Sequence, residues 1–419
     1  MNILYVCQYF RVTSHAHGSS RHYEIVRRLL EGGHRVHLLT TSQRFDDEAQ
    51  GRLLAVLGER LTISVVGSRY HQKMSYVRRM LEFIKTAVAL SVRSLRPRAD
   101  VVLASSTPLT ILIPALIRRL IRRTPYVFEV RDIWPDIPFE VGALRRRSPL
   151  GRSAWLLAWI GYRYSQAIIA LSPDMKEAII GRYGIRGEKV VVSSNAGNPG
   201  VGSAPKAPQE ASPLVRWMRE GDLSLIYGGA MGRANDVSWI VAVVEELVLS
   251  HGCDVRLLVA GDGAYTPRFD RRVLHAPKEV QERICRVAPM PKPTYLAILG
   301  EADLALNLFD NLPGLQTCSP NKVFDAWSVG VPVASNQGGW LDHVLLESGA
   351  GVPLPRDTAL AAECLATVSE EQLVRMSAAA QRLCQEDYNW DRVADDVDTT
   401  LRAVVGLGHD LPQGRVHRS

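Results

Sequence analysis

The stretch TCSPNKVFDAWSVGVPVASNQGG, residues 317–339, joins a predicted helix to a predicted strand and carries an unusual charge. Ser319 suits the N-cap and Pro320 the first helical position, so Lys322 occupies the third position, where a capping box would place Glu. A cation there opposes the positive end of the helix dipole, at a cost of about 0.3 to 1 kcal/mol when exposed. This placement predicts that Lys322 faces an anion.

An acid lies one turn further into the same predicted helix. Asp325 follows Asn321 by four residues and Lys322 by three, so the three side chains can share one side of the helix. Because a carboxylate can accept two hydrogen bonds from a vicinal diol, Asp325 is predicted to contact a ribose or sugar hydroxyl. The alternative is an ion pair between Lys322 and Asp325 on a solvated helix, worth about 0.2 to 0.5 kcal/mol.

Short apolar strand patterns alternate with helical ones on both sides of this stretch. Those of the first half are NILYVC, RVHLLT, LTISVV, DVVLAS, YVFEV, AIIALS and KVVVSS. After residue 194 the segment AGNPGVGSAPKAPQEASP has the composition of a linker, and a second alternating cycle begins at LSLIYGG. The alternation predicts the α/β class, with two doubly wound parallel sheets and a cleft between two domains.

Composition supports two domains and argues against several other classes of protein. A chain of 419 residues, 46% of them hydrophobic, can bury a core in each domain. Its six cysteines include no C-x-x-C pair and no His at finger spacing, so neither a zinc site nor a disulfide framework is expected. No secretion signal and no run of roughly 18 uncharged apolar residues is recognisable. We therefore expect a cytoplasmic protein.

Charge is distributed unevenly along the chain. Residues 1–200 carry 30 Lys and Arg against 15 Asp and Glu, a net +15, whereas residues 201–419 carry 20 against 28, a net −8; the sum is +7. The basic excess lies beside apolar segments, a mixture typical of surfaces that bind anionic lipid headgroups. The alternative to a lipid-binding surface is a set of ordinary solvated helix faces. Nucleic acid is a weaker candidate, because no nucleic-acid-binding motif accompanies the basic residues. The clusters lie in residues 78–98, 118–123 and 145–152.

Three loops of the second half sit where ligands bind in open α/β sheets, at the carboxyl ends of strands. The loop YGGAMGRAND combines glycines with Arg233 and Asn235, and AGDGAY places glycines around an acid. Together with SPNK they predict a phosphate-bearing ligand, most simply a diphosphate, whereas one Gly-rich loop would indicate only a tight turn. The predicted ligand-binding residues are Gly229, Asn235, Gly261, Asp262, Gly263, Met290, Ser319, Pro320, Asn321 and Asp325, with Arg233 and Lys322 as catalytic cations.

The segment FEVRDIWPDIPFEVGAL ends another predicted strand and combines acids, a cation and an aromatic ring. Arg131 and Asp132 are the candidate catalytic residues of the first half. We expect Asp132 to contact a ligand hydroxyl and Trp134 to offer a ring on which a sugar can stack. The alternative is a structural ion pair between Arg131 and either Asp132 or Asp136.

A further loop, HAHGSSRHYEIV, has Gly18 and Ser19 at a strand-to-helix turn and Arg21 in the first helical turn. Arg21 is thus a second cation at a helix N-terminus. The loop's histidines have irregular spacing and no accompanying carboxylate motif, which favours solvent-facing or ligand-contacting side chains over metal ligands. These histidines are His15, His17 and His22.

The order of these motifs resembles that of the retaining glycosyltransferases of family 4, which have the GT-B fold. The motifs are the N-terminal Gly-rich loop, a YxGxxG loop, a GDG loop, a DxxLxL strand and the block SPNKxFDxxxxGxPVxxxxxGG. The resemblance covers nearly the whole chain and is most specific in the last block. It is strongest to the branch that assembles bacterial surface polysaccharides, including N-acetylfucosaminyl transferases of O-antigen pathways.

The resemblance implies two Rossmann-like domains that face each other across a cleft. Residues 1–200 would form the acceptor side and residues 201–385 would bind the donor, while residues 386–419 contain a helix that returns to the first domain. The loop with Gly18, Ser19 and Arg21 would pass beneath the donor diphosphate.

Two positions depart from the family's pattern. An acid of the family is replaced by Thr317, and the arginine of its phosphate loop falls on Ala230. Arg233 is therefore expected to carry the role of that arginine.

The resemblance further implies transfer of a sugar from a nucleotide diphosphate donor, most simply a UDP-sugar, with retention at the anomeric carbon. The leaving phosphate would accept the acceptor's proton, while Lys322, Arg233, Arg21 and helix N-termini stabilise the charge that develops on it. Since no D-x-D motif stands at a strand end, we expect neither a cofactor nor an essential metal. The alternatives are a sugar-nucleotide 2-epimerase of the same architecture and a catalytically silent glycan-binding partner.

The expected partners follow from this reading. They are the nucleotide-sugar donor, a polyprenyl-linked or small-molecule sugar acceptor and, through the basic first half, the anionic inner face of the cell membrane. Nucleic acid is not expected as a partner.

Overall fold

A computed structural model describes residues 1–11, 21–43, 45, 47–68, 76–198, 209–235, 237–406 and 411–412. The chain divides into two compact units. The first combines Met1–Ser194 with Thr317–Ser319 and the C-terminal segment from Trp390, and the second combines Asn195–Gln316 with Pro320–Asn389. Most of the predicted linker, residues 199–208, lies outside the described residues.

In the described part of the chain, strands and helices alternate as the sequence predicts. The strands are β1 (Asn2–Cys7), β2 (Arg35–Thr41), β3 (Leu61–Val66), β4 (Val101–Ser105), β5 (Tyr126–Val130), β6 (Ala167–Ala170), β7 (Val190–Val192), β8 (Leu223–Ala230), β9 (Val255–Asp262), β10 (Ile284–Val287), β11 (Leu304–Asn307), β12 (Val333–Ser335) and β13 (Gly351–Pro353). The helices are α1 (Arg21–Glu31), α2 (Asp47–Leu57), α3 (Tyr76–Ser94), α4 (Leu112–Arg122), α5 (Asp136–Glu140), α6 (Pro149–Tyr164), α7 (Pro173–Tyr183), α8 (Ser212–Met218), α9 (Val237–Leu249), α10 (Thr266–Leu274), α11 (Lys278–Gln281), α12 (Lys292–Leu299), α13 (Pro313–Gln316), α14 (Asn321–Ser328), α15 (Trp340–Ser348), α16 (Thr358–Ala366), α17 (Glu370–Glu386) and α18 (Trp390–Val404).

The first unit is built on a parallel sheet whose described strands run in the order β3-β2-β1-β4-β5-β6-β7. Every residue of β4, β5 and β6 is buried, because their continuous apolar runs suit strands covered on both faces. The strand order reverses between β1 and β4, and such a reversal opens a crevice at the carboxyl ends of the strands.

Helices cover the first sheet. α3 packs against α4, and α4 packs against α6. α18 packs against α1 and contacts β4, β5 and β6, so the last helix belongs to the first unit, as predicted.

The second unit has a parallel sheet whose described strands run in the order β10-β9-β8-β11-β12-β13. Its strand order reverses between β8 and β11, so the loops that follow these two strands flank the expected ligand crevice. The predicted fold class, α/β with two doubly wound domains, is confirmed. No helix in the described ranges combines the length and apolar character needed to cross a bilayer.

Candidate functional site

Two glycine-rich loops interlock at the carboxyl edge of the second sheet. β8 and β9 remain paired to their last residues, with Gly229 opposite Gly261. A Cβ atom on Gly261 would lie 2.4 Å from the Gly229 carbonyl oxygen, and one on Gly263 would lie 2.2 Å from that of Met231. Only glycine lets the two backbones approach so closely. Gly229 and Gly263 are exposed, so their backbone is accessible to a ligand.

The carboxylate of Asp262 organises its own turn. It accepts hydrogen bonds from the Gly263 amide (2.7 Å) and the Thr266 hydroxyl (2.9 Å). These two hydrogen bonds hold the pKa of the Asp262 carboxyl below its usual value. The ionised carboxylate thus shapes the loop, while its predicted contact with a ligand stays a prediction.

The helix α14 begins one residue later than the sequence predicts. Pro320 is its N-cap, with extended backbone and no capping side-chain hydrogen bond, and Asn321 is its first residue. Ser319 therefore does not cap the helix; it is buried and groups with the first unit. The Ser319-Pro320 pair is compatible with the predicted start of the helix and with the observed one, because proline's fixed φ suits the N-cap as well as the first helical position. Lys322 is consequently the second helical residue.

Lys322 reaches the point where the strand order of the second sheet reverses. Its Nζ lies 3.3 Å from the Tyr227 hydroxyl of β8 and 3.5 Å from Asn235 Oδ1 in the loop that follows β8. The ammonium also lies 4.4 Å from the Tyr227 ring centroid and 5.5 Å from that of Phe309, which follows β11. A Cβ placed on Gly229 would be 3.7 Å from Nζ. The amine thus borders the backbone of the glycine loop.

These neighbours of the Lys322 ammonium are neutral. Within the described residues the lysine forms no ion pair, since Asp325 pairs instead with Lys292 of α12 (2.8 Å). Burial without a counter-charge lowers the pKa of Lys322 to about 7. The alternative of a Lys322–Asp325 pair is therefore not realised. A half-buried lysine with polar and aromatic neighbours but no carboxylate is a suitable site for an anionic ligand.

The other predicted residues of the second unit differ in their exposure and in whether they contact Lys322. Asn235 contacts Lys322 directly, as described above. Arg233 is exposed in the turn between β8 and α9 and forms no ion pair with a described residue. Met290 is half-buried in the segment between β10 and α12 and packs against the core. Asp325, also half-buried, retains some exposure beside Lys292. Ligand contacts of these side chains stay predictions.

In the first unit, polar side chains collect near the carboxyl ends of β1, β4 and β5, where the strand order reverses. Arg131, just after β5, has Nη1 3.0 Å from His22 Nε2, and its amide donates to the Ser106 hydroxyl. His22 Nδ1 lies 2.7 Å from the Tyr5 hydroxyl of β1. Burial and the adjacent Arg131 cation lower the pKa of His22 to about 3, so the imidazole is neutral at physiological pH. Because His22 is buried, the expectation of a solvent-facing side chain is wrong, while the alternative of a ligand-contacting one stays a prediction.

Arg21 has a structural environment that the sequence did not reveal. The side chain is completely buried, and its Nε donates to Glu129 Oε1 at 2.8 Å. Its two other nitrogens donate to the carbonyls of Ser194 (2.6 Å) and Ser193 (3.1 Å). Burial raises the pKa of Glu129, but Arg21 and other donors outweigh it, so the pKa lies below its usual value. Arg21 therefore ties α1 to β5 and to the end of β7, rather than being exposed to a ligand in this structure.

The acids after β5 have separate environments. Asp136 is buried and pairs with Arg182 (3.2 Å) while accepting from the Tyr183 hydroxyl, so it is structural. Asp132 is half-buried, and burial raises the pKa of its carboxyl. Neither acid pairs with Arg131, so the alternative of a structural pair with Arg131 is not realised. Gly18, Ser19, His15 and His17 lie outside the described residues.

Sequence reasoning missed Tyr227 and Phe309, the two rings that border the Lys322 ammonium. The Tyr227 hydroxyl donates to the Ala230 carbonyl at 2.7 Å, which fixes the ring beneath the glycine loop. An aromatic residue just before a strand-end Gly-Gly pair is the signal that could have identified Tyr227. Phe309 gives no comparable sequence signal.

We expect anion binding at Lys322 to take up a proton above pH 7. A diphosphate favours the ammonium form and raises the pKa of Lys322 from about 7, so binding captures a proton and affinity falls as pH rises above that value. Titration calorimetry with UDP-glucose in two buffers of different ionisation enthalpy measures this uptake. Its loss in Lys322→Met would support the assignment; equal enthalpies for the unaltered protein in both buffers would contradict it.

The two units match different family profiles. Residues 18–200 match Glycosyltransferase Family 4, and residues 238–399 match the family described as Glycosyl transferase-like. No match was found among curated proteins.

Solved structures of similar fold cover nearly all of the chain. The Anabaena protein HepE in complex with UDP and glucose is 16% identical, with a TM-score of 0.69 over 96% of this chain and 100% of that one. WaaG, a glycosyltransferase involved in lipopolysaccharide biosynthesis, is 13% identical, with a TM-score of 0.65 over 96% and 100%. A protein from Listeria monocytogenes, described as a putative UDP-N-acetylglucosamine 2-epimerase, is 13% identical, with a TM-score of 0.61 over 99% of both chains.

At these identities the structural likenesses establish the fold, and the two profiles together account for most of the chain. The N-terminal profile is that of family 4, and the C-terminal profile is that of a glycosyl transferase. The chain therefore combines a family 4 glycosyltransferase domain in residues 18–200 with a glycosyl transferase-like domain in residues 238–399, in the GT-B fold.

Proposed function

We propose that the protein transfers a sugar from a UDP-sugar to a hydroxyl group of a glycan acceptor, with retention at the anomeric carbon. The observation that carries this proposal is the Lys322 ammonium, which lies beside an exposed glycine loop and has no carboxylate partner among the residues that the structure describes. A diphosphate placed there would supply the missing negative charge. HepE, which has the same fold, is described in complex with UDP and glucose. This supports UDP as the nucleotide of the donor.

The proposed chemistry needs charge stabilisation more than a nucleophile. The acceptor oxygen bonds to the anomeric carbon as the bond to the diphosphate oxygen breaks, and the acceptor's proton passes to that departing oxygen. Lys322 and Arg233 stabilise the negative charge that develops on the leaving group. Because these cations and the exposed backbone of the glycine loops carry this role, we propose that no divalent metal or cofactor is essential.

We assign the remaining contacts by chemistry. Asp325, which retains exposure beside Lys292, is suited to accept hydrogen bonds from sugar or ribose hydroxyls. Arg131 and Asp132 are the first unit's candidates for contacts to the reacting groups. Burial raises the pKa of the Asp132 carboxyl, and its oxygens are suited to accept hydrogen bonds from sugar hydroxyls.

The acceptor we propose is a lipid-linked sugar, with a small-molecule glycan as the other candidate. WaaG is described as acting in lipopolysaccharide biosynthesis, and the basic first half of this chain suits an anionic membrane. We propose that the enzyme acts in the cytoplasm, at the inner face of the cell membrane. Assays with different sugar nucleotides test whether the enzyme transfers a hexose, an N-acetylhexosamine or specifically N-acetylfucosamine.

A panel of labelled UDP-sugars distinguishes transfer from the alternatives. We expect slow release of UDP without acceptor, stimulation by polyprenyl diphosphate-linked sugars, and a product with the anomeric configuration of the donor. Formation of a C2 epimer of the donor would instead establish the epimerase, which the Listeria likeness keeps as second candidate. Binding of every donor without turnover would establish a silent glycan-binding partner.

A further inference from the structure

The helix α3 exposes an apolar stripe where a surface helix normally exposes polar side chains. Buried residues, including Ala87, Leu90 and Ser91, occupy the face toward the sheet. On the outer face, four apolar side chains follow one another at intervals of three or four residues and are each more than half exposed. The stripe is about 16 Å long at the rise of an α-helix. Its members are Leu81 (51%), Ile84 (52%), Val88 (57%) and Val92 (55%).

The end of α4 extends this surface. Leu120 is 81% exposed and Ile121 58% exposed, and both lie between the exposed Arg119 and Arg122. The C-terminal ends of α3 and α4 are held together by Arg118, a member of the basic cluster at residues 118–123.

Arg118 is in fact buried and has a structural role. Its guanidinium donates to the carbonyl of Ser94, the last residue of α3, to that of Pro97 beyond the helix, and to the Thr124 hydroxyl. Burial first, and then the nearby Arg122 cation, lower its pKa. The arginines at the C-terminal ends of α3 and α4 therefore share one surface. Those with exposed side chains are Arg93, Arg96, Arg119, Arg122 and Arg123.

The three helices that carry this face are strongly basic. α3, α4 and α6 contain nine Lys and Arg residues, four, three and two respectively and including the buried Arg118, against the single acid Glu82. Glu82 already pairs with Lys85 at 3.2 Å. α6, which packs against α4, exposes Trp155 and Leu156 on the same covering layer of helices.

We propose that the outer face of α3, with the adjoining ends of α4 and α6, docks onto an anionic lipid bilayer. Apolar side chains would enter the headgroup boundary while the flanking arginines neutralise lipid phosphates. A second copy of this chain fits poorly, because pairing this face with itself would bring two sets of cations together. The proposal rests on the lipid-linked acceptor proposed above and assigns the membrane contact to named helices.

Vesicle co-sedimentation of the full chain tests the docking face. We expect binding to vesicles containing phosphatidylglycerol, weakened by high salt, and little binding to pure phosphatidylcholine. Ile84→Gln/Val88→Gln and Arg119→Gln/Arg122→Gln should each weaken binding about tenfold or more, since a basic residue near an anionic surface contributes on the order of fivefold. Glutamine favours helix, so α3 and α4 should fold in these variants.

Matched variants on the second unit serve as controls. Leu346→Gln/Val374→Gln removes two apolar side chains that are at least as exposed, and Arg271→Gln/Arg382→Gln removes two exposed arginines. Both should sediment with vesicles as the unaltered protein does. UDP binding and thermal unfolding, measured on every variant, separate a loss of docking from a loss of fold or of donor binding.

The outcomes decide the proposal whether or not sugar transfer is found. Selective loss in the α3 and α4 variants supports it. Absent sedimentation, or loss that is equal in the control variants, would overturn it. A concentration-dependent dimer that Ile84→Gln/Val88→Gln dissociates would also overturn it and would assign the face to a second copy of the chain.

Discussion

Lys322→Met is expected to lower kcat/KM for the sugar nucleotide by about 10² to 10³, the usual cost of removing one group that stabilises transition-state charge. The fold should persist, because methionine fills a similar space and no ion pair to a described residue is lost. The melting temperature should stay the same or rise, since the substitution removes a half-buried cation that has no counter-charge among the described residues. Steady-state kinetics and thermal unfolding measure the two effects.

A relocated charge makes this result specific. Asn235 Oδ1 lies 3.5 Å from Lys322 Nζ, so Asn235→Lys in the Lys322→Met background returns an ammonium to nearly the same place. We expect part of the lost activity and UDP affinity to return. Lys278→Met, which removes an exposed lysine of the same unit, is the matched control and should be silent. Unchanged kinetics in Lys322→Met would contradict the role assigned to the ammonium.

Arg21→Met is expected to lower the free energy of unfolding by about 3 to 5 kcal/mol, the cost of breaking a buried ion pair from one side. The substitution removes the ion pair of the buried Glu129 carboxylate and leaves it the Ser105 hydroxyl as a donor and the weaker influence of the Arg131 cation. It also leaves the Ser193 and Ser194 carbonyls without their guanidinium donors. Urea unfolding monitored by tryptophan fluorescence measures the loss.

The double variant Arg21→Met/Glu129→Gln separates structure from ligand binding. Removing both charges should recover part of the stability, because no unpaired ion then remains in the core. If Arg21 instead bound the donor diphosphate, Arg21→Met would weaken UDP binding while leaving the unfolding transition in place. That result would restore the role expected from its position at a helix N-terminus.

Much of the fold could be predicted because its signals are local. Apolar runs such as those of β4, β5 and β6 mark buried parallel strands, and the alternation with helical patterns defines two doubly wound sheets. Lys322 could also be singled out locally, since a cation in the first turn of a helix conflicts with the dipole. Lys322 is the second helical residue rather than the predicted third, because either residue of the Ser319-Pro320 pair can serve as N-cap.

The partners of these residues could not be predicted, because they depend on contacts distant in sequence. Arg21 meets Glu129 108 residues further along the chain, and Lys322 meets Tyr227 95 residues before it. The same local signal, a cation at a helix N-terminus, therefore has two outcomes. Arg21 has a buried carboxylate and two carbonyls, whereas Lys322 has neutral neighbours. Only the three-dimensional pairing distinguishes the structural cation from the candidate ligand-binding one.

The crystal structure of the protein with a bound UDP-sugar tests the central claim most directly. We expect the Nζ atom of Lys322 to lie about 2.7 to 2.9 Å from a diphosphate oxygen, the usual distance of a charge-assisted hydrogen bond. The glycine loop after β8 should run alongside the same phosphates. A donor bound elsewhere, with the Lys322 amine still facing only Tyr227 and Asn235, would contradict the account.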